Sequence, residues 1–218
     1  MIFFRSKTQM QNLNLEEQNI FKNFTNIVNN KYKIAQDRDI WANSPWKNIA
    51  QLCNNDSGGG GEEFICQLCN DVGIPCSING TKLKGKNKGD GVINGRSVEV
   101  KTSRQTSSGS AFQHELGENP WDTEFMIFFD VSPTKLYITI FRNFSKDFYK
   151  ESGRDNTKKC KPYFPTKSIT WRKQTGNFKL DTTVQLNENN KYTFIINNSP
   201  SCAKFREFIN FMIPQIEK

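Results

Sequence analysis

Hydrophobic and polar positions follow two different periods along this chain, and the period changes near residue 75. Before it, spacing is helical. In "LNLEEQNIFKNFTNIVNNKYKIA" (13–35), Ile20, Phe24, Ile27 and Val28 recur three and four residues apart, with Phe21 beside them, which predicts an amphipathic helix. "SPWKNIAQLC" (44–53) begins with Ser44 as an N-cap and Pro45 at the first helical position, a helix start. In "DSGGGGEEFICQLCNDVGI" (56–74), four glycines precede a short predicted helix with a stripe of Phe64, Ile65, Leu68, Cys69 and Val72. Gly73 is placed to end it.

After residue 75 the period is two. "CSIN" (76–79) reads as a short strand, and "TKLKGKNKGDG" as a basic, turn-rich loop. "GVING" and "RSVEVKTS" read as two strands joined by an Asn94-Gly95 turn, a strong hairpin signal. "SAFQHE" reads as a third strand of the same sheet. "TEFMIFFDVS" (123–132) and "KLYITIFR" (135–142) are nearly continuous apolar runs, as expected of central strands buried on both faces. "SKDFYKES" (145–152) suggests a short helix, and 153–190 a basic, loop-like insertion. "KYTFIIN" (191–197) suggests a late strand. "SPSCAKFREFINFMIPQI" (199–216) suggests a closing helix with Phe205, Phe208, Ile209 and Met212 on one face. The order predicts one α/β domain over residues 1–218, a central mixed β-sheet flanked by helices.

Composition adds a partner class. Lys and Arg number 30 against 22 Asp and Glu, a formal charge of +8 spread along the chain. Such a balance favours a polyanion, because phosphate contacts release condensed counterions. No apolar run approaches the ~20 residues of a membrane-spanning helix. The opening "MIFFRSKTQMQN" lacks the long apolar core of a secretion signal. A cytoplasmic protein of a bacterium or a virus-infected cell is the expectation, with its six cysteines as reduced thiols.

The hairpin carries the chemistry. Side chains alternate faces along a strand, so Glu99 and Lys101 point one way and Val98, Val100 and Thr102 the other. The Asn-Gly turn folds the preceding strand back, bringing Asp90 toward Glu99. Two carboxylates beside an open space suit a hard cation such as Mg²⁺. Lys101 is placed to orient or deprotonate a water, or to stabilise charge on a phosphate. The competing reading is a surface hairpin with ordinary solvated charges. Against it stand the shared face and the apolar strands that follow.

"GDG" followed by "EVK" resembles the PD-(D/E)xK nuclease superfamily, and type II restriction endonucleases most of all. Asp90 matches the first acidic position, Glu99 the second and Lys101 the lysine, while Gly89 stands where the family name has proline. The resemblance covers residues 58–142, with the flanking parts left for recognition or dimerisation. It implies that Asp90, Glu99 and the Val100 carbonyl hold Mg²⁺. Members often carry a glutamate on the helix before the hairpin that helps hold the water at the metal. "GGGGEEFICQLC" offers Glu62, with Glu63 as the fallback. The competing reading of Glu62 is a carboxylate favoured in a first helical turn by the macrodipole.

Further candidates flank this core. Ser103, Arg104 and Gln105 follow the lysine, placed to clamp phosphates or reach base edges. Gln113 and His114 lie on the next strand, where the resemblance implies a polar residue that contacts the phosphate or a water. His114 is the only histidine, which excludes multi-histidine zinc catalysis and leaves it a structural alternative. Cys66 and Cys69 have C-x-x-C spacing, with Cys53 and Cys76 as conceivable further ligands. Their mid-helix position favours buried structural thiols over zinc. "SGGGGE" lacks the Gly-Lys-Ser/Thr ending of a phosphate-binding loop. The expectation is a Mg²⁺-dependent endonuclease cutting double-stranded DNA at a short specific sequence, as a homodimer on a symmetric site. A structure-specific nickase or resolvase, and a non-catalytic DNA-binding module, are the alternatives.

Overall fold

The change of period marks the change from helix to sheet. The computed structural model describes residues 15–36, 39–78, 89–106, 111–115, 123–142, 157–160, 164–172, 175–181, 191–197 and 201–216. The expected loop at 81–88 and helix at 145–152 lie outside them. The chain falls into two compact units, divided after Ala42. The first holds helix α1 (Leu15–Gln36), as its apolar spacing predicts. Phe24, Ile27 and Val28 of that stripe are exposed. No helix among the described residues is long and apolar enough to cross a membrane.

The second unit opens with a short 3-10 turn, Lys47–Gln51, in place of the longer helix expected at 44–53. Contrary to expectation, Ser44 is not its N-cap: Trp46 takes that position without a side-chain cap, and Ser44 Oγ accepts the Trp46 N–H at 3.3 Å. The Trp46 indole donates to the Ser132 carbonyl at 2.8 Å.

Helix α2 spans Asn54–Asp71 and therefore contains the glycine run that the sequence placed in a loop. Cys53 caps it, with Sγ accepting from the Asp56 N–H. Each helical glycine costs about 1 kcal/mol relative to alanine, and packing outweighs that cost here. A Cβ on Gly61 would lie 2.0 Å from Thr102 Oγ1, so only glycine lets the helix approach the sheet this closely. Ile65, Cys69 and Val72 continue the buried stripe. Gly73 ends it with φ of +75°, and the Ile74 N–H returns to the Cys69 carbonyl at 2.9 Å.

The main sheet contains β1 (Cys76–Ile78), β2 (Gly91–Ile93), β3 (Arg96–Arg104), β5 (Phe125–Val131), β6 (Leu136–Arg142) and β10 (Thr193–Ile196), in that spatial order. β3 and β5 are parallel and every other pairing is antiparallel. The β2–β3 turn has Asn94 at φ 52° and Gly95 at φ 78°, the left-handed pair of a type I′ hairpin. Every residue of β5 is buried, as its unbroken apolar run required.

Helices cover one face of this sheet. Phe64 of α2 stacks on Phe129 with ring centroids 5.2 Å apart. Helix α3 (Cys202–Met212) buries Phe205, Ile209 and Met212, and Phe205 packs against Phe194 of β10. The Asn94 side-chain amide donates to the Ile213 carbonyl at 2.7 Å, docking the hairpin turn on the end of α3.

A second sheet, not a helix layer, lies against the other face. It is antiparallel, in the order β4-β9-β8-β7, with β4 Ala111–Glu115, β7 Thr157–Cys160, β8 Phe164–Arg172 and β9 Thr175–Asp181. Two expectations are corrected. β4 is not a third strand of the main sheet: it lies on the crossover that parallel β3 and β5 require. The segment read as a loop over 153–190 contains three strands. Phe112 and His114 of β4 pack on Tyr137 and Phe128 of the main sheet.

Candidate active site

β2 pairs with β3 only as far as Gly91 opposite Val98. Beyond Val98, no strand among the described residues pairs with β3 on that side, and Asp90 takes the place of one. Its N–H donates to the Val98 carbonyl at 2.9 Å. Its Oδ2 accepts the Val100 N–H at 2.8 Å. The N–H and C=O of one strand residue face the same edge, so the Val100 carbonyl also points to the Asp90 side.

Glycines on both sides make this reach possible. A Cβ on Gly89 would lie 2.2 Å from the Val98 carbonyl oxygen, and one on Gly91 would lie 2.1 Å from the Ser77 carbonyl oxygen. Gly89 has φ of +73°, which a proline ring, fixed near −65°, cannot adopt. The departure at this position is therefore built into the backbone.

Glu99 and Lys101 project from the face opposite α2, two residues apart as the alternation predicted. Their register partners on β5 are Met126 and Phe128. Lys101 Nζ meets Glu99 Oε1 at 2.5 Å, with the lysine side chain 28% exposed and the glutamate 0%. Asp90 is also buried. Glu62 is half-buried on α2 and responds to both Asp90 and Lys101. Its carboxyl is held above the ordinary range by burial first and the Asp90 charge second, with Lys101 opposing. Glu62 lies midway along the 18-residue α2, so a first-turn helix-dipole role does not account for it.

The structure thus sets Asp90 against Val100, Lys101 against Glu99, and Glu62 within electrostatic reach of Asp90 and Lys101. The flanking candidates are placed differently. Ser103 Oγ donates to the Gln113 carbonyl at 3.0 Å. The Arg104 guanidinium holds the Ile49 and Leu52 carbonyls. The Gln105 N–H donates to the Val131 carbonyl. The Gln113 side chain is exposed. His114 is buried, with Nε2 2.7 Å from Asp130 Oδ1, so its ring is closed to a phosphate.

A cleft of about 570 Å³ adjoins Glu62, lined also by Gly59, Glu63, Cys66, Gln67, Asn70 and Ile78. Most of these residues repeat at helical spacing along one side of α2. Of these, only Gly59 depends on the glycine run being helical.

Among the described residues no cluster of three or more His, Cys, Asp or Glu is arranged to hold a metal ion. The expected Mg²⁺ ligands, Asp90, Glu99 and the Val100 carbonyl, are all oxygen donors, the type Mg²⁺ takes together with waters and phosphate oxygens. Comparison with known protein families, curated proteins and solved structures finds no match.

Proposed function

We propose that this protein is a Mg²⁺-dependent endonuclease that hydrolyses phosphodiester bonds of double-stranded DNA at a short specific sequence. The observation that carries the reading is the burial of two carboxylates along β3, Asp90 bonded to the Val100 N–H and Glu99 paired with the Lys101 ammonium. Burying carboxylates is costly unless they are paired, and such clusters mark functional sites.

Asp90, Glu99 and the Val100 carbonyl are the residues that would hold Mg²⁺. The ion supplies Lewis acidity toward a phosphoryl oxygen and lowers the pKa of water. Glu99 holds the Lys101 ammonium by their ion pair, and the partial exposure of Lys101 lets that ammonium orient an attacking water or neutralise a phosphate oxygen. Glu62, across the edge on α2, accepts a hydrogen bond or a proton from that water. The Asp90–Val100 hydrogen bond fixes the first carboxylate against the strand that carries the other two groups. The net charge of +8 suits a DNA partner, and a symmetric target calls for two copies of the chain.

The test is digestion of unmethylated duplex DNA by the purified protein with Mg²⁺, beside an EDTA control and Lys101→Ala. Discrete fragments that vanish in both controls are expected. Nicks confined to branched or damaged DNA would move the assignment to a repair nickase or resolvase. DNA binding with no cleavage in the wild type would overturn the catalytic reading.

A further inference from the structure

Cys66 and Cys69 stand one turn apart on α2, and β1 brings a third thiol against them. The Cys76 thiol lies near enough to those of Cys69 and Cys66 for both to perturb its titration, and it perturbs that of Cys66 in turn. All three are free cysteines. Asn70 fixes the arrangement: its Oδ1 accepts the Cys76 N–H at 3.2 Å, and its amide donates to the Cys76 carbonyl at 3.4 Å and to Cys66 Sγ at 3.6 Å. Helix, strand and thiols are thus joined through one side chain. Exposure separates the three sulfurs, since Cys69 is buried and Cys66 and Cys76 are half-buried. Cys66 also lines the cleft beside Glu62. A three-sulfur metal centre is not supported, because no such group among the described residues is arranged to hold a metal.

We propose that Cys66 and Cys76 are an oxidisable pair, converted by hydrogen peroxide entering the cleft into a disulfide that staples α2 to β1. In the first step the Cys66 sulfur attacks a peroxide oxygen. An S–O bond forms, the O–O bond breaks, and the departing oxygen takes up a proton and leaves as water. In the second step the Cys76 sulfur attacks the Cys66 sulfenic sulfur. The S–S bond forms, the S–O bond breaks, and the hydroxyl leaves as water with the Cys76 proton. Two thiols lose two electrons and one peroxide becomes two waters.

Cys66 is the first attacker because it faces the cleft. Burial pushes the Cys66 thiol up, with the Ile78 main chain and the Asn70 amide opposing. Contact with Cys69, then burial, pushes Cys76 up further. Both thiols stay protonated at neutral pH, so oxidation accelerates as pH rises. The nuclease reading is not needed for this chemistry, since the bond itself is what is measured.

The experiment treats the intact protein with hydrogen peroxide at neutral and mildly alkaline pH, blocks remaining thiols, and maps peptides without reduction. The expected result is a Cys66–Cys76 disulfide that forms faster at alkaline pH and is reversed by dithiothreitol. It should be absent from Cys66→Ser and Cys76→Ser and retained in Cys69→Ser. Oxidation confined to the exposed Cys53 and Cys202, with Cys66 and Cys76 both blocked as free thiols, would overturn the proposal. A bridge made by Cys69 instead would overturn the pairing. The wild-type map decides the matter even if a variant fails to fold.

Discussion

At the scale of single residues, Glu62 makes the sharpest prediction. Burial and the Asp90 charge hold its carboxyl above the ordinary range. The folded protein therefore keeps this proton at a pH where the unfolded chain has released it. Stability contributed by the group rises as pH falls through that window and is lost as pH rises. Function runs the opposite way if Glu62 acts as a carboxylate. The cleavage rate should fall as pH drops through the raised range, and Glu62→Gln should lower the plateau by about 10–100-fold while flattening that limb. An acid limb unchanged in Glu62→Gln would assign it to another group. Lys101→Ala should cost about 10²–10⁴-fold in rate, the usual contribution of a proton-transfer group, with DNA binding retained in a gel-shift assay. Asp90, Glu99 and Lys101 were legible because strand alternation and an Asn-Gly turn fix both face and register. Glu62 was legible only as a letter in a motif. Its place midway along a helix was hidden by the glycines before it.

Among the elements, α2 shows why. A run of four glycines reads locally as a loop, since each lowers helix stability. The energetic reason for the helix lies elsewhere in the sequence, at Thr102 and Phe129, which no local window contains. The glycines are not equivalent. A Cβ on Gly60 meets nothing within 4 Å, while one on Gly61 meets Thr102 Oγ1 at 2.0 Å and Phe129 at 3.0 Å. Gly60→Ala should therefore stabilise the protein by about 1 kcal/mol through helix propensity. Gly61→Ala should destabilise it by about 1–3 kcal/mol through overpacking, and should impair cleavage by shifting Glu62. Urea unfolding midpoints of the two variants check this, and equal shifts would mean that the close helix–sheet approach is not what retains Gly61. The strands β7 to β9 were missed for a related reason. Their sequences carry charges and Pro165 where β5 and β6 carry unbroken apolar runs, so the period-two signal is weak. Their hydrogen-bond partners are one another and β4.

For the molecule as a whole, the question is what joins the two sheets. His114 on β4 and Asp130 on β5 are both buried and make a 2.7 Å contact. His114 also packs on Phe128 with ring centroids 4.6 Å apart, and Phe128 is the register partner of Lys101. The second sheet is thus anchored on the same face of the main sheet from which Glu99 and Lys101 project. Sequence alone left His114 divided between a structural and a phosphate-binding role, because its partner lies across a layer boundary that no periodicity reveals. Removing one member of a buried pair costs about 3–5 kcal/mol, mostly from the polar group left behind, whereas replacing both by apolar residues of similar volume costs much less. His114→Phe alone should therefore lower stability by about that amount, and His114→Phe combined with Asp130→Leu should recover much of the loss. The check is a double-mutant cycle in urea with cleavage followed in parallel. If the pair only joins the sheets, the double variant regains activity along with stability. Regained stability without regained cleavage would instead give His114 a role at the site that its burial argues against.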